Sequence, residues 1–157
     1  MVVIANEAES KETMVWYFAY GSNLSKNQMN ERIGAWKDTK KATLQGWKLV
    51  FNVPSRKWGG AAANIVSTCN PADAVFGAIY CITRKQLDIL TDKYEHVSSR
   101  TLIVEAEERS EKAEVYVFKK DNPSLKPSEE YLQTILTGLR DHGYQDDIVK
   151  LVESLGH

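Results

Sequence analysis

Val15-Trp16-Tyr17-Phe18-Ala19-Tyr20-Gly21-Ser22-Asn23-Leu24 is an apolar and aromatic run that breaks off at a glycine and two small polar residues. Such a run reads as a buried strand that ends in a tight turn. Strand-to-turn-to-helix junctions collect backbone N–H groups without partners, and Gly21 gives the chain room to turn there. N–H groups aimed outward at such a junction can bind a carboxylate or stabilise the oxyanion of a tetrahedral intermediate. The stretch is neither a G-x-G-x-x-G fingerprint nor a P-loop, because no Lys stands at the required position, so nucleotide binding is not supported.

Downstream, Ser25 with Gln28 three residues on has the spacing of a capping box and predicts a helix. From Ala42 to Ile82 the period becomes two: Trp47, Leu49, Phe51 and Val53 alternate as in a half-buried strand. Strands over 62–68 and 74–82, joined by Asn70-Pro71-Ala72-Asp73, are expected to form a hairpin. Thr83 and Gln86 repeat the capping-box spacing and open a helix with Leu87 and Leu90 on one face, expected to end near 94–97. Two more strands fit 101–107 and 113–119, with the charged run from Glu105 to Lys112 as a solvated hairpin. Pro127-Ser128 starts a helix bearing Tyr131, Ile135 and Leu139, with Gly143 placed for a left-handed cap, and a last helix stops at Gly156. About six strands and four helices in mixed order predict an α+β chain: a small mixed barrel or sheet with helices packed around it.

Composition bounds the function. With 157 residues, 43% apolar and 26% charged, the chain reads as one globular domain over 14–157 behind a polar N-terminal tail over 1–13. A chain of this size buries about 70% of the surface its unfolded form exposes and needs no metal or disulfide to fold. Twenty Lys and Arg against twenty-one Asp and Glu leave no basic field, so no nucleic-acid partner is expected. Cys69 and Cys81 form no C-x-x-C motif, and His96, His142 and His157 have no ligand spacing, so no metal site is expected. The N-terminus lacks the charged start and apolar run of a secretory signal, and no segment has the apolar length of a membrane span. A cytoplasmic protein with reduced thiols and no membrane contact is expected.

The motifs carry a resemblance. Tyr17 to Leu24 resembles the opening signature of the gamma-glutamylcyclotransferase family, a tyrosine-glycine-serine-x-leucine loop after the first strand. Trp58-Gly59-Gly60-Ala61 resembles that family's glycine pair, and Val75-Phe76-Gly77-Ala78-Ile79-Tyr80 its following strand. Asp92-Lys93-Tyr94-Glu95 falls where the family has an aspartate, two residues and its catalytic glutamate, and Pro127 to Tyr131 is similar to the segment that brings a substrate-contacting tyrosine. The resemblance spans roughly residues 15–155 and implies a gamma-glutamylcyclotransferase-like fold, Glu95 as the catalytic residue, and Tyr17, Phe18, Ala19, Tyr20, Gly21, Ser22, Asn23, Leu24 and Tyr131 as substrate-binding residues. One departure is that His96 stands where the family usually has glycine.

The implied reaction converts a gamma-glutamyl amide to 5-oxoproline and a free amine without any cofactor, because the substrate's own alpha-amine attacks its gamma-carbonyl. The protein has to fold the substrate, hold an oxyanion and move protons. A single carboxyl group can take the ammonium proton and return one to the departing amine, the role implied for Glu95. The loop N–H groups would hold either the oxyanion or the substrate's alpha-carboxylate. The expected partner is a small gamma-glutamyl compound: a gamma-glutamyl amino acid, with glutathione or a gamma-glutamylamine as alternatives, or capture of such a metabolite without turnover. Tyr116 reads as a cross-strand packing residue. Trp16, Trp36, Trp47 and Trp58 offer an aromatic surface for a dimer contact, so a monomer or a homodimer is expected.

Overall fold

In the computed structural model, which describes residues 12–92, 97–119 and 125–157, the aromatic run forms strand β1 (Met14–Ala19). It pairs antiparallel along its length with β5 (Ala74–Thr83), from Met14 opposite Thr83 to Ala19 opposite Ala78. On its other edge Tyr17 meets Glu114 of β7 (Arg109–Phe118) in the parallel sense. With β2 (Asp38–Gln45) and β6 (Val97–Ala106), these strands close a barrel in the order β1-β5-β2-β6-β7. Phe18, Leu44, Ile79, Tyr80, Ile82, Val104 and Val115 are buried in or around it. A separate two-stranded sheet consists of β3 (Trp47–Pro54) and β4 (Ala61–Ser67). Four helices complete the described chain: α1 (Lys26–Ile33), α2 (Arg84–Thr91), α3 (Glu129–Asp141) and α4 (Asp146–Leu155). None of them is long and apolar enough to cross a membrane.

The α+β barrel class is as expected, with seven strands among the described residues instead of about six. The additional strand is β2, whose Asp38, Lys40, Lys41 and Gln45 hide the alternation of buried Ala42 and Leu44. Lys40 lies over the Trp16 ring at 5.7 Å and Lys41 over Tyr144 at 5.1 Å, so long cationic stems cover aromatic surface on this strand.

The expected hairpin between 62–68 and 74–82 is not formed. β4 pairs with β3, from Trp47 opposite Ser67 to Pro54 opposite Ala61, while β5 pairs with β2, from Asp38 opposite Cys81 to Gln45 opposite Ala74. The β2–β5 ladder is thus a long hairpin, and β3–β4 is an arm inserted at its tip. Gly46, at φ +84°, makes the corner: its N–H donates to the Asp73 carbonyl and its own carbonyl accepts from the Thr68 N–H. The turn residues Asn70 to Asp73 are correct as a turn, yet they return the chain to the barrel and do not fold one strand on the next. Helix α2 ends at Thr91, short of the expected 94–97, and β6 starts at Val97, ahead of Thr101, because Ser98, Ser99 and Arg100 pair with β7 despite their polarity. Most of the polar tail lies outside the described residues.

Helix ends follow the sequence closely. Thr83 and Gln86 form the full capping box. Ser128 caps α3 by accepting from the Tyr131 N–H, and Gly143 takes the left-handed position at φ +86°. At Ser25 only half the box forms: its hydroxyl accepts from the Gln28 N–H, but its own N–H already donates to the Ser22 carbonyl. The Gln28 side chain is therefore released to turn elsewhere.

Helix α3 crosses the turn after β1 at Gly138. A Cβ there would lie 2.4 Å from the Leu24 carbonyl carbon and 2.5 Å from the Ser25 nitrogen, so the two backbones touch. Beyond the helix, the His142 imidazole lies 3.1 Å from the Leu24 carbonyl and 2.9 Å from the Tyr80 hydroxyl. The Tyr144 hydroxyl reaches the Ala42 and Gly77 carbonyls of the β2–β5 pair at 3.0 and 2.8 Å.

Two outcomes follow from these contacts. Gly138→Ala improves helix propensity by about 1 kcal/mol, but the overpacking against backbone costs about 1–3 kcal/mol, so urea unfolding should show a net loss of stability. Burial, reinforced by the charge of Lys26, holds the His142 pKa down to about 4, against opposing effects of the Leu24 carbonyl and Asp141. Between about pH 6.5, where an unfolded histidine takes its proton, and pH 4 the unfolded chain binds more protons, so stability falls as pH falls through this window. Melting temperatures across that range should drop more steeply for the wild type than for His142→Phe.

Candidate active site

A cavity of about 550 Å³ opens where β1 ends, within the roughly 300–1,000 Å³ of small-molecule sites. One wall is the turn of 3₁₀ helix Ser22–Leu24 with Gly21, and the opposite wall is the Val53–Trp58 end of the β3–β4 arm. Tyr116 and Phe118 of β7 and Tyr131 of α3 complete the lining.

The turn is held by buried polar contacts. Gln28 donates from Nε2 to Ser22 Oγ at 2.7 Å and to Asn23 Oδ1 at 3.1 Å, and Arg32 donates from Nη1 to the same Asn23 oxygen at 2.8 Å. Asn23 Nδ2 donates to the Tyr17 hydroxyl at 3.0 Å. With its side chain consumed in this way, Asn23 shapes the loop. Within the turn, only the Leu24 and Ser25 N–H groups donate backwards, to Gly21 and Ser22; those of Gly21, Ser22 and Asn23 have no acceptor among the described residues. Unpartnered N–H groups beside a cavity are donors available to an anionic oxygen.

Tyr131 reaches the same place from α3. Its hydroxyl accepts from the Ala63 N–H at 2.9 Å, and a Cβ at position 21 would lie 3.0 Å from it, so Gly21 makes room for the phenol. The ring lies 5.3 Å from Trp58 and edge-on to Phe51. Across the cavity, the Tyr20 hydroxyl donates to the Tyr116 carbonyl at 2.6 Å, and the Tyr116 ring lies 5.6 Å from Tyr17.

Of the residues singled out from the sequence, Tyr17, Phe18, Tyr20, Gly21, Ser22, Asn23 and Tyr131 line the cavity. Ala19 and Leu24 are fully buried behind the wall, Ala19 in β1 and Leu24 under Gly138. Glu95 lies outside the described residues, as does His96. The described chain on either side of them is fastened to the cavity's β7 wall: Thr91 Oγ1 is 2.7 Å from the Tyr116 hydroxyl, and Val97 pairs with Phe118.

Several lining residues escaped the sequence reading. Tyr116 stands in the wall as well as packing across strands. Arg32 is one helical turn beyond Gln28 on α1, and this i,i+4 spacing from a residue facing the loop was the available clue. Arg56, Lys57 and Trp58 reach the cavity only because the arm folds over, which no local pattern announces. The lining holds three cations, Arg32, Arg56 and Lys57, and no Asp or Glu among the described residues.

The model of the family described as gamma-glutamyl cyclotransferase, AIG2-like, matches residues 17–133. A Bos taurus protein named gamma-glutamylcyclotransferase is 30% identical over 148 residues, covering 88% of this chain and 77% of that one. A Homo sapiens protein of the same name is 26% identical over 135 residues, covering 81% and 71%. A solved structure titled gamma-glutamyl cyclotransferase superposes with a TM-score of 0.80 at 25% identity, covering 90% of this chain and 87% of that one. The loop after β1, the cavity it borders and these matches along most of the chain agree, and the chain belongs to the gamma-glutamyl cyclotransferase, AIG2-like family.

Proposed function

We propose that the protein releases 5-oxoproline from a gamma-glutamyl amino acid by cyclotransfer, with Glu95 moving the protons. The observation that carries this reading is the anion-binding end of the cavity, where the Gly21–Asn23 turn, whose N–H groups have no acceptor among the described residues, is bonded to the part-buried Arg32, which meets no carboxylate among them.

A permanent positive charge suits a permanent negative one, so Arg32 and the loop are assigned to the substrate's alpha-carboxylate. Fixing that group leaves the alpha-amine and the gamma-carbonyl to meet within the cavity, and ring closure becomes a matter of held geometry. The alpha-nitrogen attacks the gamma-carbon, the new C–N bond closes the ring, and the amide C–N bond breaks. Glu95 takes one proton from the alpha-ammonium before the attack and a second from the ring nitrogen after it, and passes both to the departing nitrogen, which leaves as an ammonium, so no water and no cofactor enters the balance. In support, the flanks Thr91 and Val97 are tied to Tyr116 and Phe118 of the cavity wall, within a few residues of Glu95.

Glu95→Gln should fold normally and lose 5-oxoproline release from gamma-glutamyl-alanine by at least about a hundredfold, the range of a lost general acid–base group. Full activity in this variant would refute the mechanism. Arg32→Gln should raise KM for the same substrate by about tenfold to a hundredfold, the scale of one charge-assisted hydrogen bond, with a smaller change in kcat. Steady-state kinetics on both variants beside the wild type makes the comparison.

A further inference from the structure

A second, smaller cavity of about 290 Å³ opens in the seam between the β3–β4 arm and the β6–β7 pair. Buried Asn52, Asn64 and Ile65 stand in its lining with the Trp47 ring, and exposed Val66, Arg100 and Lys119 surround them. Phe118 belongs to this lining and to that of the larger cavity, so the two are neighbours across one side chain. We infer that the smaller cavity binds a small organic carboxylate, its oxygens met by the Asn52 amide and Arg100 and its planar or apolar body laid on Trp47 and Val66.

The Asn52 donor is placed by a β-bulge and by the backbone of the next strand. Phe51 stands opposite Ala63 and Val53 opposite Ala62, which leaves Asn52 as the extra residue of the ladder. The Phe118 N–H donates to Asn64 Oδ1 at 3.0 Å and the Phe118 carbonyl accepts from Asn64 Nδ2 at 3.1 Å. A backbone donor and a backbone acceptor thus fix which end of the Asn64 amide is which. Asn64 Nδ2 donates also to Asn52 Oδ1 at 3.1 Å, so the Asn52 oxygen is taken and its NH2 turns away. That NH2 has no acceptor among the described residues. No buried side-chain polar atom among them is sealed off without a partner, so the Asn52 donor opens on the cavity although the residue is only 8% exposed. A donor held at such burial gains from an acceptor brought to it.

The charges around it have one sign. Arg100 lies over the Trp47 ring, 5.6 Å from its centroid, and a guanidinium that uses its face on an indole keeps its in-plane N–H groups for a carboxylate. Neither Arg100 nor Lys119 meets a carboxylate among the described residues, and the described lining holds no Asp or Glu. Trp47, Ile65, Val66 and Val117 give the same cavity an apolar side that an inorganic anion would leave uncovered.

Benzoate is the probe, with benzylamine and inorganic phosphate beside it, and the N–H NMR signals of the Trp47 indole and the Asn52 side chain in the full chain are the readout. Benzoate should move both signals to saturation with a midpoint of roughly 1–10 mM, the affinity that a ligand of so few atoms draws from one charge-assisted contact and one covered ring. Benzylamine, with the same ring and the opposite charge, should move neither, and phosphate should bind at least about tenfold more weakly. Arg100→Gln should weaken benzoate by about tenfold. Asn52→Asp keeps the oxygen that Asn64 needs and replaces the donor by a repelling oxygen, so it should abolish the Trp47 shift. Shifts from benzylamine equal to those from benzoate, phosphate bound as tightly, or a midpoint that Arg100→Gln leaves unchanged overturns the site. A benzoate shift confined to the Trp58 indole of the larger cavity does the same.

Discussion

The approach of helix α3 to the backbone of Leu24, which position 138 allows because it carries no side chain, is the contact on which the site depends. It presses the turn after β1 against the helix that carries Tyr131. The Tyr131 hydroxyl then meets the Ala63 N–H of β4 and lies close beside Gly21. One helix thereby joins three parts of the chain that have no local reason to meet: the end of the first barrel strand, the inserted arm and the helical C-terminal third. Lone glycines in helices cost about 1 kcal/mol of intrinsic stability, so the close packing is what offsets that cost at Gly138.

A turn pressed inward in this way buries polar groups, and buried polar groups need partners. Ser22, Asn23 and Gln28 are all buried and are satisfied mainly by one another, with Tyr17 and Arg32 completing the network. The side chains close the network among themselves, and the N–H groups of Gly21, Ser22 and Asn23, which line the cavity, have no acceptor among the described residues. The same arrangement that makes the turn stable makes it a donor surface. Gln28 can take part only because the 3₁₀ turn has already satisfied the Ser25 N–H, which releases the side chain from the capping box.

The barrel and the arm meet at the cavity. The β2–β5 ladder and the long β6–β7 pair form most of the barrel, with the arm inserted at the tip of the former and its two strands paired with each other. Asn64 bonds the arm back to the barrel through the Phe118 backbone, accepting from its N–H at 3.0 Å and donating to its carbonyl at 3.1 Å. The cavity lies in this seam, and a change at the arm's tip alters its lining without crossing the barrel core. An arm so tied can vary its tip residues while the barrel and the β1 turn keep their geometry.

Local pattern was enough to read β1, its turn, the complete cap at Thr83, the start and end of α3, the end of α4 and the β6–β7 hairpin, because each depends on neighbours within a few residues. Tyr17, Phe18, Tyr20, Gly21, Ser22, Asn23 and Tyr131 of the cavity lining were legible through a contiguous motif that resembles a family signature and its companion segment. Strand β2 was not, because its lysines obscure the alternation and find their partners, Trp16 and Tyr144, far away in sequence. Pairing of β5 with β1 and β2 was equally hidden, since a ladder is a choice among strands that propensity leaves equivalent. The sequence by itself determined β1 and the turn after it, the starts of α2 and α3 and the ends of α3 and α4. Only the tertiary structure decided that Arg32, Arg56 and Tyr116 share one cavity, because that depends on a closed barrel, a folded-over arm and a bare glycine in α3, all of them contacts between residues distant along the chain.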